Sequence, residues 1–226
     1  MQSWKIKHAG VSLLARRAPS LLPLRHLAAF HGSNKVTITL AGVDYAAVYD
    51  RYLGRRRREP MTLLELGVYR GESLRTWRSY LPHATVVGLD IDPQAADRAA
   101  GFDVYIGSQA DEELLARVVA DHPRIDVIVD DASHLTALTV ASFRQLFPHL
   151  ASGGLYFIED IPDDSWTADE MAAWPGMSLN DPAMLANRRE DLDALLTELA
   201  RDTLAGPERL VDFLHVWPRI ITIGRA

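Results

Sequence analysis

The sequence predicts an α/β fold, with a mostly parallel seven-stranded sheet, helices on both faces and a C-terminal antiparallel hairpin. Between Met61 and Asp160, five short apolar runs alternate with four helical patterns, an order that produces parallel strands joined by helices. The runs are continuous rather than alternating, as in strands that are buried on both faces. Two further segments, on either side of Trp217-Pro218, predict the closing hairpin.

Each element is predicted from apolar periodicity and from the turn residues beside it. The parallel strands are predicted at residues 62–66, 85–89, 104–106, 125–129 and 155–158. The helices between them are predicted at residues 71–80, 94–100, 111–120 and 135–150. Further helices are predicted at 44–53 and 184–204, and the hairpin strands at 210–216 and 219–224. The carboxyl ends of the parallel strands meet at one edge of such a sheet, which is where ligands bind.

The segment ahead of the sheet differs from the rest in charge, because no Asp or Glu occurs before Asp44. We therefore predict an N-terminal arm over residues 1–43 and the main domain over residues 44–226. Helical spacing over residues 12–30, interrupted by prolines, predicts short helices that lie on the domain or on a neighbouring subunit. A transit peptide is the alternative interpretation of this acid-free segment.

The composition restricts the classes of function. The chain has 226 residues, 48% of them hydrophobic, and a formal net charge of -6, which disfavours nucleic acid as a partner. The four consecutive arginines at 55–58 are therefore interpreted as a solvated loop. There is no cysteine, so disulfides and thiolate catalysis are excluded, and a cytoplasmic location is expected. No apolar run is long enough to span a membrane.

The first parallel strand ends in the pattern E-x-G-x-x-x-G, formed by Glu65, Gly67 and Gly71. The glycines allow a tight strand-to-helix turn and a close approach of a ligand to the backbone. The spacing differs from the G-x-G-x-x-G of dinucleotide sites and resembles the first motif of class I methyltransferases, which holds the methionine part of S-adenosylmethionine. Taken alone, the motif is equally consistent with a glycine turn that binds nothing.

Polar residues also end the next two strands. Asp90 follows the second strand, roughly 20 residues after the glycine turn, a position suited to hydrogen bonds with ribose hydroxyls. Asp92 precedes Pro93 and is expected to cap the next helix. Ser108 and Gln109 follow the third strand, where class I methyltransferases contact the adenine ring. Capping of the following helix is the alternative role of Ser108.

The ends of the fourth and fifth strands carry the most informative residues. Asp130, Asp131 and His134 follow the fourth strand, and Glu159 and Asp160 end the fifth. Neighbouring strand ends bring the carboxylates together, and clustered carboxylates repel one another unless a cation or protons intervene. Oxygen ligands without sulfur suit Mg²⁺, or Mn²⁺. Helix capping explains one of these acids, but not three acids and a histidine.

A longer pattern resembles a known family. The segments D-D-A-S-H at 130–134, S-F at 142–143, L-F-P at 146–148 and G-G-L-Y-F-I-E-D at 153–160 closely resemble the metal-dependent sugar O-methyltransferases of macrolide antibiotic pathways. The mycinamicin and demethylmacrocin O-methyltransferases typify this family. The resemblance covers about residues 32–164 and includes H-G-S-N-K at 31–35. Ala132 stands where the family has Gly, and Asn34 where it has Asp. Beyond residue 164 the pattern is not shared, which leaves the acceptor open.

The resemblance implies a Rossmann-like class I methyltransferase that moves a methyl group from S-adenosylmethionine to a hydroxyl of a small glycoside. It implies that Asp131, Glu159 and Asp160 bind Mg²⁺, and that His134 acts as general base, with Asp131 also in the catalytic set. It assigns the cofactor to Glu65, Gly67, Gly71, Ser73, Asp90, Ser108, Gln109 and Asp130. Residues 162–182 lack periodicity and predict a substrate lid, with a surface loop or an oligomer contact as the alternatives.

Other functions are compatible with the same scaffold. They are a catechol-type O-methyltransferase, a cyclase that binds S-adenosylmethionine, and a non-catalytic interaction subunit. An RNA methyltransferase agrees with the arginine run but not with the net charge of -6 or the carboxylate cluster. We therefore expect a small-molecule partner, no nucleic acid and no membrane, and a homo-oligomer is compatible with the sequence.

Overall fold

The computed structural model describes Ala15 and residues 18–36, 44–161 and 189–226. The chain divides into two compact units, Met1–Ile106 and Gly107–Ala226. The predicted lid at 162–182 and the first 14 residues of the predicted arm lie outside the described residues. The division of the chain after residue 43 stays a prediction.

The helices and strands, numbered along the chain, have the following bounds. The first unit contains α1 (Leu24–His31), α2 (Tyr45–Leu53), β1 (Met61–Leu66), α3 (Glu72–Tyr80), β2 (Ala84–Asp90), α4 (Ala95–Arg98) and β3 (Asp103–Ile106). The second unit contains α5 (Glu112–Asp121), β4 (Ile125–Asp130), α6 (Thr136–Leu146), β5 (Leu150–Ile158), α7 (Glu190–Asp202), β6 (Val211–Trp217) and β7 (Ile220–Arg225). Short 3₁₀ helices occupy Pro19–Leu21, Asn34–Val36, Gly54–Arg56, Phe147–His149 and Gly206–Glu208.

The strand order confirms the predicted fold class. The seven-stranded sheet has the order β3-β2-β1-β4-β5-β7-β6. Within the first unit, β2 pairs in parallel with β1 and with β3. Within the second unit, β4 and β5 are parallel, and β7 runs antiparallel to both β5 and β6. All six residues of β4 are buried, as its continuous apolar pattern predicts.

The helix of the predicted arm lies on its own chain. Leu24, Leu27 and Ala28 of α1 are buried, and α1 packs against α3. On α3 the buried side chains include Leu74 and Trp77. The arm therefore contributes apolar surface to the first unit, where burial of each such side chain stabilises the fold by about 1.5–3 kcal/mol.

Three of the differences between predicted and observed boundaries have a clear physical cause. β5 begins at Leu150 rather than at residue 155, because an irregularity in its pairing with β4 accommodates the Ser-Gly-Gly segment. α6 ends at Leu146, where Pro148 forces the chain into a 3₁₀ turn. The final hairpin turns at Pro218-Arg219, since Trp217 and Ile220 are paired, one residue later than predicted.

The arginine run has a local structural role. Arg57 donates to the backbone carbonyls of Leu22 at 2.9 Å and Tyr80 at 3.2 Å, and its guanidinium lies 4.0 Å from the centre of the Tyr80 ring. Arg56 pairs with Glu59 at 3.2 Å. The run therefore joins neighbouring segments of the first unit. Within the described residues, no helix combines the length and the apolar character that crossing a bilayer requires.

Candidate active site

The turn after β1 has the backbone geometry that its glycines allow. Gly67 and Gly71 have φ angles of 91° and 75°, in the region that other residues rarely adopt. Gly71 is the N-cap of α3, and the Gly67 amide donates to the Leu89 carbonyl at 2.8 Å. The tight strand-to-helix turn that the motif predicts is therefore present, and it is tied to the end of β2.

Asp90 organises the same turn from the neighbouring strand. Its Oδ2 accepts hydrogen bonds from the amides of Val68 at 2.8 Å and Tyr69 at 2.7 Å, and its Oδ1 accepts from the Asp92 amide at 2.8 Å. Each carboxylate oxygen can accept two hydrogen bonds, so Oδ1 retains capacity for a ligand hydroxyl. The side chains of Tyr69 and Ile91 on either side of this carboxylate are 46% and 74% exposed.

Glu65 and Ser73, both assigned to the cofactor from the sequence, contact each other. The Ser73 hydroxyl donates to Glu65 Oε2 at 2.6 Å, and Trp77 Nε1 donates to Oε1 at 3.2 Å. Lys35 Nζ lies 3.3 Å from Oε1, and the lysine and glutamate side chains are 2% and 0% exposed. The charge of this buried glutamate is therefore balanced by a lysine from the segment that precedes the sheet.

Asp92 is close to its expected capping role. Its Oδ1 accepts a hydrogen bond from the Gln94 amide at 2.9 Å, and its side chain also pairs with Arg98. The amide and the guanidinium lower the pKa of Asp92 below its ordinary value. The N-cap of α4 is Gln94, so Asp92 closes the turn just ahead of the helix.

The helix after β3 is capped by a residue other than Ser108. Asp111 is the N-cap of α5 and accepts from the Leu114 amide at 3.0 Å. The Ser108 hydroxyl accepts from the Ala110 amide at 3.2 Å, within the turn that leads to the helix. Capping of α5 by Ser108 is thereby excluded, and the contact of Ser108 with the cofactor stays a prediction.

Asp130 lies at the centre of a buried polar network in the second unit. It accepts hydrogen bonds from Ser142 Oγ at 2.7 Å, from Gln109 Nε2 at 3.0 Å and from the Tyr156 hydroxyl at 3.3 Å. Burial raises the pKa of Asp130 to about 6, although these donors and the nearby His134 favour its charged form. Burial also raises the pKa of Tyr156. Asp130 therefore holds the end of β4, and its predicted contact with the cofactor stays a prediction.

Gln109 links this network to the loop that follows β4. Its side-chain nitrogen donates to Asp130 and to Ser142 Oγ at 3.2 Å, and its oxygen accepts from the Ser133 amide at 3.0 Å. Gln109 is 4% exposed. The side chain thus fixes the backbone one residue before His134, and its predicted contact with adenine remains a prediction.

The second unit brings three of the predicted site residues together. Asp131, His134 and Asp160 each offer a ligand atom, and these atoms all lie within 4.8 Å of one another. Asp160 is buried, and Asp131 and His134 are half-buried. Two carboxylates and an imidazole at this spacing can hold a divalent cation or exchange a proton with a bound group.

The backbone of this cluster is strained. His134 and Asp160 have φ angles of 55° and 50°, in the left-handed region that costs a non-glycine residue about 1–2 kcal/mol. Such strain is concentrated at functional sites. The alternative that Asp130 or Asp131 caps α6 is excluded, because the N-cap position is Leu135 and has no side-chain cap. The Ser133 hydroxyl instead accepts from the Leu135 amide at 3.2 Å.

Glu159 does not join this group of ligand atoms. It is 2% exposed, and its amide donates to the Asp130 carbonyl at 2.9 Å, which continues the pairing of β4 with β5. Among the described residues, the cluster of converging ligand atoms consists of Asp131, His134 and Asp160. The predicted role of Glu159 as a third carboxylate ligand stays a prediction.

Comparison with known proteins relates part of the chain to a methyltransferase family. The model of a methyltransferase domain family matches residues 64–161. The matched residues include the end of β1 with its glycine turn, Asp90, the Asp130 network and the cluster of Asp131, His134 and Asp160.

Relatives of this chain are named as O-methyltransferases. An 8-demethyl-8-(2-methoxy-alpha-L-rhamnosyl)-tetracenomycin-C 3'-O-methyltransferase of Streptomyces olivaceus is 36% identical over 70% of this chain and 41% of its own length. The mycinamicin VI 2''-O-methyltransferase of Micromonospora griseorubida is 37% identical over 57% of this chain and 32% of its own length. The chain therefore spans less than half the length of these curated relatives.

A solved structure supports the same relationship. MycE, a methyltransferase of the mycinamycin biosynthetic pathway in complex with Mg, SAH and mycinamycin VI, is 29% identical with a TM-score of 0.70. The match covers 91% of this chain and 55% of MycE. The resemblance to antibiotic sugar O-methyltransferases, noted from the sequence, is thereby confirmed.

Sequence reasoning missed the residues that support the site from a distance. Ser142 lies within a family motif, yet its hydrogen bond to Asp130 depends on how α6 packs. Lys35 lies in the H-G-S-N-K element, but its partner Glu65 is 30 positions away in the chain. Nothing in the sequence indicates that Lys35 is buried, and its need for a carboxylate partner becomes visible only in the structure.

Proposed function

We propose that the protein transfers a methyl group from S-adenosylmethionine to a hydroxyl on the sugar of a glycosylated natural product, with help from Mg²⁺. The convergence of Asp131, His134 and Asp160 ligand atoms within 4.8 Å carries the proposal. The relatives support it, since they are named for the methylation of rhamnosyl tetracenomycins and of mycinamicin VI. MycE, with bound Mg and SAH, supplies the precedent for both cofactors.

The donor set fits Mg²⁺. Proteins commonly bind this ion through one or two carboxylates and leave the other positions to water or substrate oxygens, and Asp131 and Asp160 supply two carboxylates. When bound, Mg²⁺ would lower the pKa of an acceptor hydroxyl and fix its orientation. Glu159, next to Asp160 in the chain, is kept as the third predicted ligand.

The first unit offers features that suit the nucleoside of S-adenosylmethionine. Asp90 Oδ1 has capacity for a ribose hydroxyl, and the exposed side chain of Ile91 beside it suits a flat heteroaromatic ring. Gly67 and Gly71 give the turn the positive φ angles that shape it, and this turn would hold the methionine part. Glu65 is buried, so we assign it to holding Ser73 and the turn.

His134 is proposed as the general base. Its imidazole accepts the proton of the acceptor hydroxyl while that oxygen attacks the methyl carbon, and the C–S bond of the sulfonium breaks to leave S-adenosylhomocysteine. The carboxylates of Asp131 and Asp160, close to the imidazole, stabilise the imidazolium that forms. General-base catalysis of this kind typically contributes about 10²–10⁴-fold.

The acceptor is proposed to be a small molecule that is methylated in the cytoplasm. A net charge of -6 gives little attraction for the phosphates of nucleic acids. The absence of cysteine agrees with a reducing compartment. A homo-oligomer is compatible with this proposal, and it is tested by measuring the mass of the protein in solution.

The test is to incubate the protein with S-adenosylmethionine, Mg²⁺ and a panel of macrolide and aromatic polyketide glycosides. Mass analysis should show the gain of one methyl group, and the same aglycones without sugar serve as the matched control. Methylation of catechols instead of glycosides would contradict the sugar assignment. Protein treated with EDTA should lose activity and regain it with Mg²⁺, and full activity in EDTA would contradict the metal assignment.

A further inference from the structure

The second unit contains a cavity whose wall adjoins Asp160 along the chain. It has a volume of about 420 Å³, within the range of roughly 300–1,000 Å³ typical of small-molecule sites. Its wall includes Ile161, which directly follows Asp160 in the chain, so their Cα atoms are about 3.8 Å apart. The cavity wall and the candidate metal site therefore adjoin along the chain.

The wall combines apolar side chains with polar and positively charged groups. Leu192 and Leu196 of α7 contribute aliphatic surface, and Trp217 of β6 contributes an aromatic ring. The charged side chains among the described wall residues are Arg189 and Arg219, both cationic. A guanidinium donates hydrogen bonds and accepts none, so a group that faces it must offer acceptor oxygens.

Arg219 occupies a position where an arginine is unexpected. It is the second residue of the two-residue turn between the paired residues Trp217 and Ile220, and its φ is 64°. Glycine and asparagine are favoured at such a position, and arginine has no conformational reason to be there. Its side chain is 6% exposed and lines the cavity. The backbone of Arg219 is therefore strained while its cationic side chain lines a cavity, and backbone strain of this kind is concentrated at functional sites.

The same residue is linked to the candidate metal site through its backbone. The Arg219 carbonyl accepts a hydrogen bond from the Ile161 amide at 3.2 Å. This bond fixes the turn against the residue that follows Asp160. The turn therefore positions both the guanidinium in the cavity and the chain that carries the Asp160 carboxylate.

We propose that this cavity binds the aglycone of the acceptor, and that Arg219 selects an apolar body bearing an anionic or strongly accepting oxygen, such as a phenolate or a carboxylate. The inference rests on the proposed function, since it assumes that the sugar lies at Asp131, His134 and Asp160. The aglycone contacts Leu192, Leu196 and Trp217, and its oxygen faces Arg219.

Binding is tested without methyl transfer by titrating the protein with anilinonaphthalenesulfonate, an apolar aromatic probe that carries one sulfonate. We expect saturable binding to the wild-type protein. Arg219→Gly removes the guanidinium and relieves the positive φ, and Leu196→Glu places a negative charge in the wall. Each should weaken binding of the probe by about 10-fold or more, since loss of about 1.4 kcal/mol corresponds to that factor.

Leu204→Glu is the matched control, because Leu204 is 85% exposed and is not part of the cavity wall. It should bind the probe as the wild type does. Arg219→Gly should also unfold at the same temperature as the wild type or a higher one. If the role of Arg219 were merely structural, the variant would unfold at a lower temperature. If Arg219→Gly fails to fold, the binding of the probe to Leu196→Glu tests the cavity instead, and a loss of binding supports the proposal.

The proposal would be overturned if the wild-type protein showed no saturable binding of the probe. It would also be overturned if Leu196→Glu and Arg219→Gly bound the probe as well as the control does. With a methylated glycoside in hand, the same two variants should raise KM for that glycoside more than they lower kcat. A cavity that binds the probe through Arg219 in a protein that methylates no glycoside would leave the binding site standing and refute the proposed function.

Discussion

Lys35 Nζ lies 3.3 Å from Glu65 Oε1, and both side chains are buried. The pair joins the short 3₁₀ helix that precedes α2 to the end of strand β1, immediately before the glycine turn. Hydrogen bonds from Ser73 and Trp77 satisfy further positions on the same carboxylate. The segment that leads into the sheet thus supplies the lysine that balances the charge of Glu65, next to the proposed cofactor turn.

Removing one partner of this pair should be costly. Lys35→Met leaves the Glu65 carboxylate buried without its cation, and breaking such a pair typically destabilises a protein by about 3–5 kcal/mol. Chemical denaturation should show this loss in the free energy of unfolding. The double variant Lys35→Met with Glu65→Gln should recover part of it, because no charge is then left buried.

The exposed ion pair of Arg144 and Glu198 is the control for this prediction. The two side chains are 55% and 58% exposed, so Arg144→Met should change the free energy of unfolding by about 1 kcal/mol or less. Equal losses in Lys35→Met and Arg144→Met would show that the buried pair has no special weight.

His31 should make stability depend on pH. Its ring lies 2.8 Å from Ser79 Oγ, and burial, with Arg75 and Arg78 nearby, lowers the pKa of His31 in the folded state. As the pH falls below the ordinary value of about 6.5, the unfolded chain takes up a proton before the folded chain does. Stability that is fully present above that pH is therefore lost as the pH falls toward the folded-state pKa.

His31→Gln tests this prediction by removing the titrating group. The free energy of unfolding of the wild type should decline more than that of the variant between about pH 7.5 and about pH 5. The exposed His83 provides the matched control in His83→Gln. An identical decline in all three proteins would exclude His31 as a source of the pH dependence.

The fold and the strand ends were predictable because they depend on local patterns. Continuous apolar runs predicted β1 and β4. Gly67 and Gly71 predicted the first turn, because the positive φ angles of that turn favour glycine. The pattern of acids at the strand ends located Asp131 and Asp160 for a related reason, because parallel strands end at one edge.

The supporting contacts could not be predicted in this way. The hydrogen bonds of Ser142 and Tyr156 to Asp130 depend on the packing of α6 and β5, which no local pattern specifies. The left-handed backbone of Arg219 carries no sequence signal, because arginine rarely adopts it. Histidine adopts it more often, but the sequence does not specify where, so His134 could not be assigned this conformation in advance. Such conformations are imposed by the surrounding fold and become visible in the structure.

Asp160→Asn should isolate the charge of one proposed metal ligand. Asparagine tolerates the left-handed backbone that Asp160 adopts, with its φ of 50°, so the fold should be preserved. Binding of Mg²⁺ or Mn²⁺, measured by calorimetry, should weaken by about 10-fold or more. Asp212→Asn, at an exposed aspartate of β6, should leave metal affinity unchanged, and equal affinities in the two variants would remove Asp160 from the metal site.

His134→Asn should separate the general base from the cofactor site. Asparagine again suits the positive φ, here 55°, so the loop and the free energy of unfolding should be retained while the imidazole is lost. Turnover should fall by about 10²–10⁴-fold, and affinity for S-adenosylmethionine should be unchanged. The matched substitution His149→Asn, at an exposed histidine of the 3₁₀ turn after α6, should be fully active. Raising the pH should restore part of the lost turnover in His134→Asn, because hydroxide then replaces the missing base, and a variant that turns over at the wild-type rate would assign proton removal to another group.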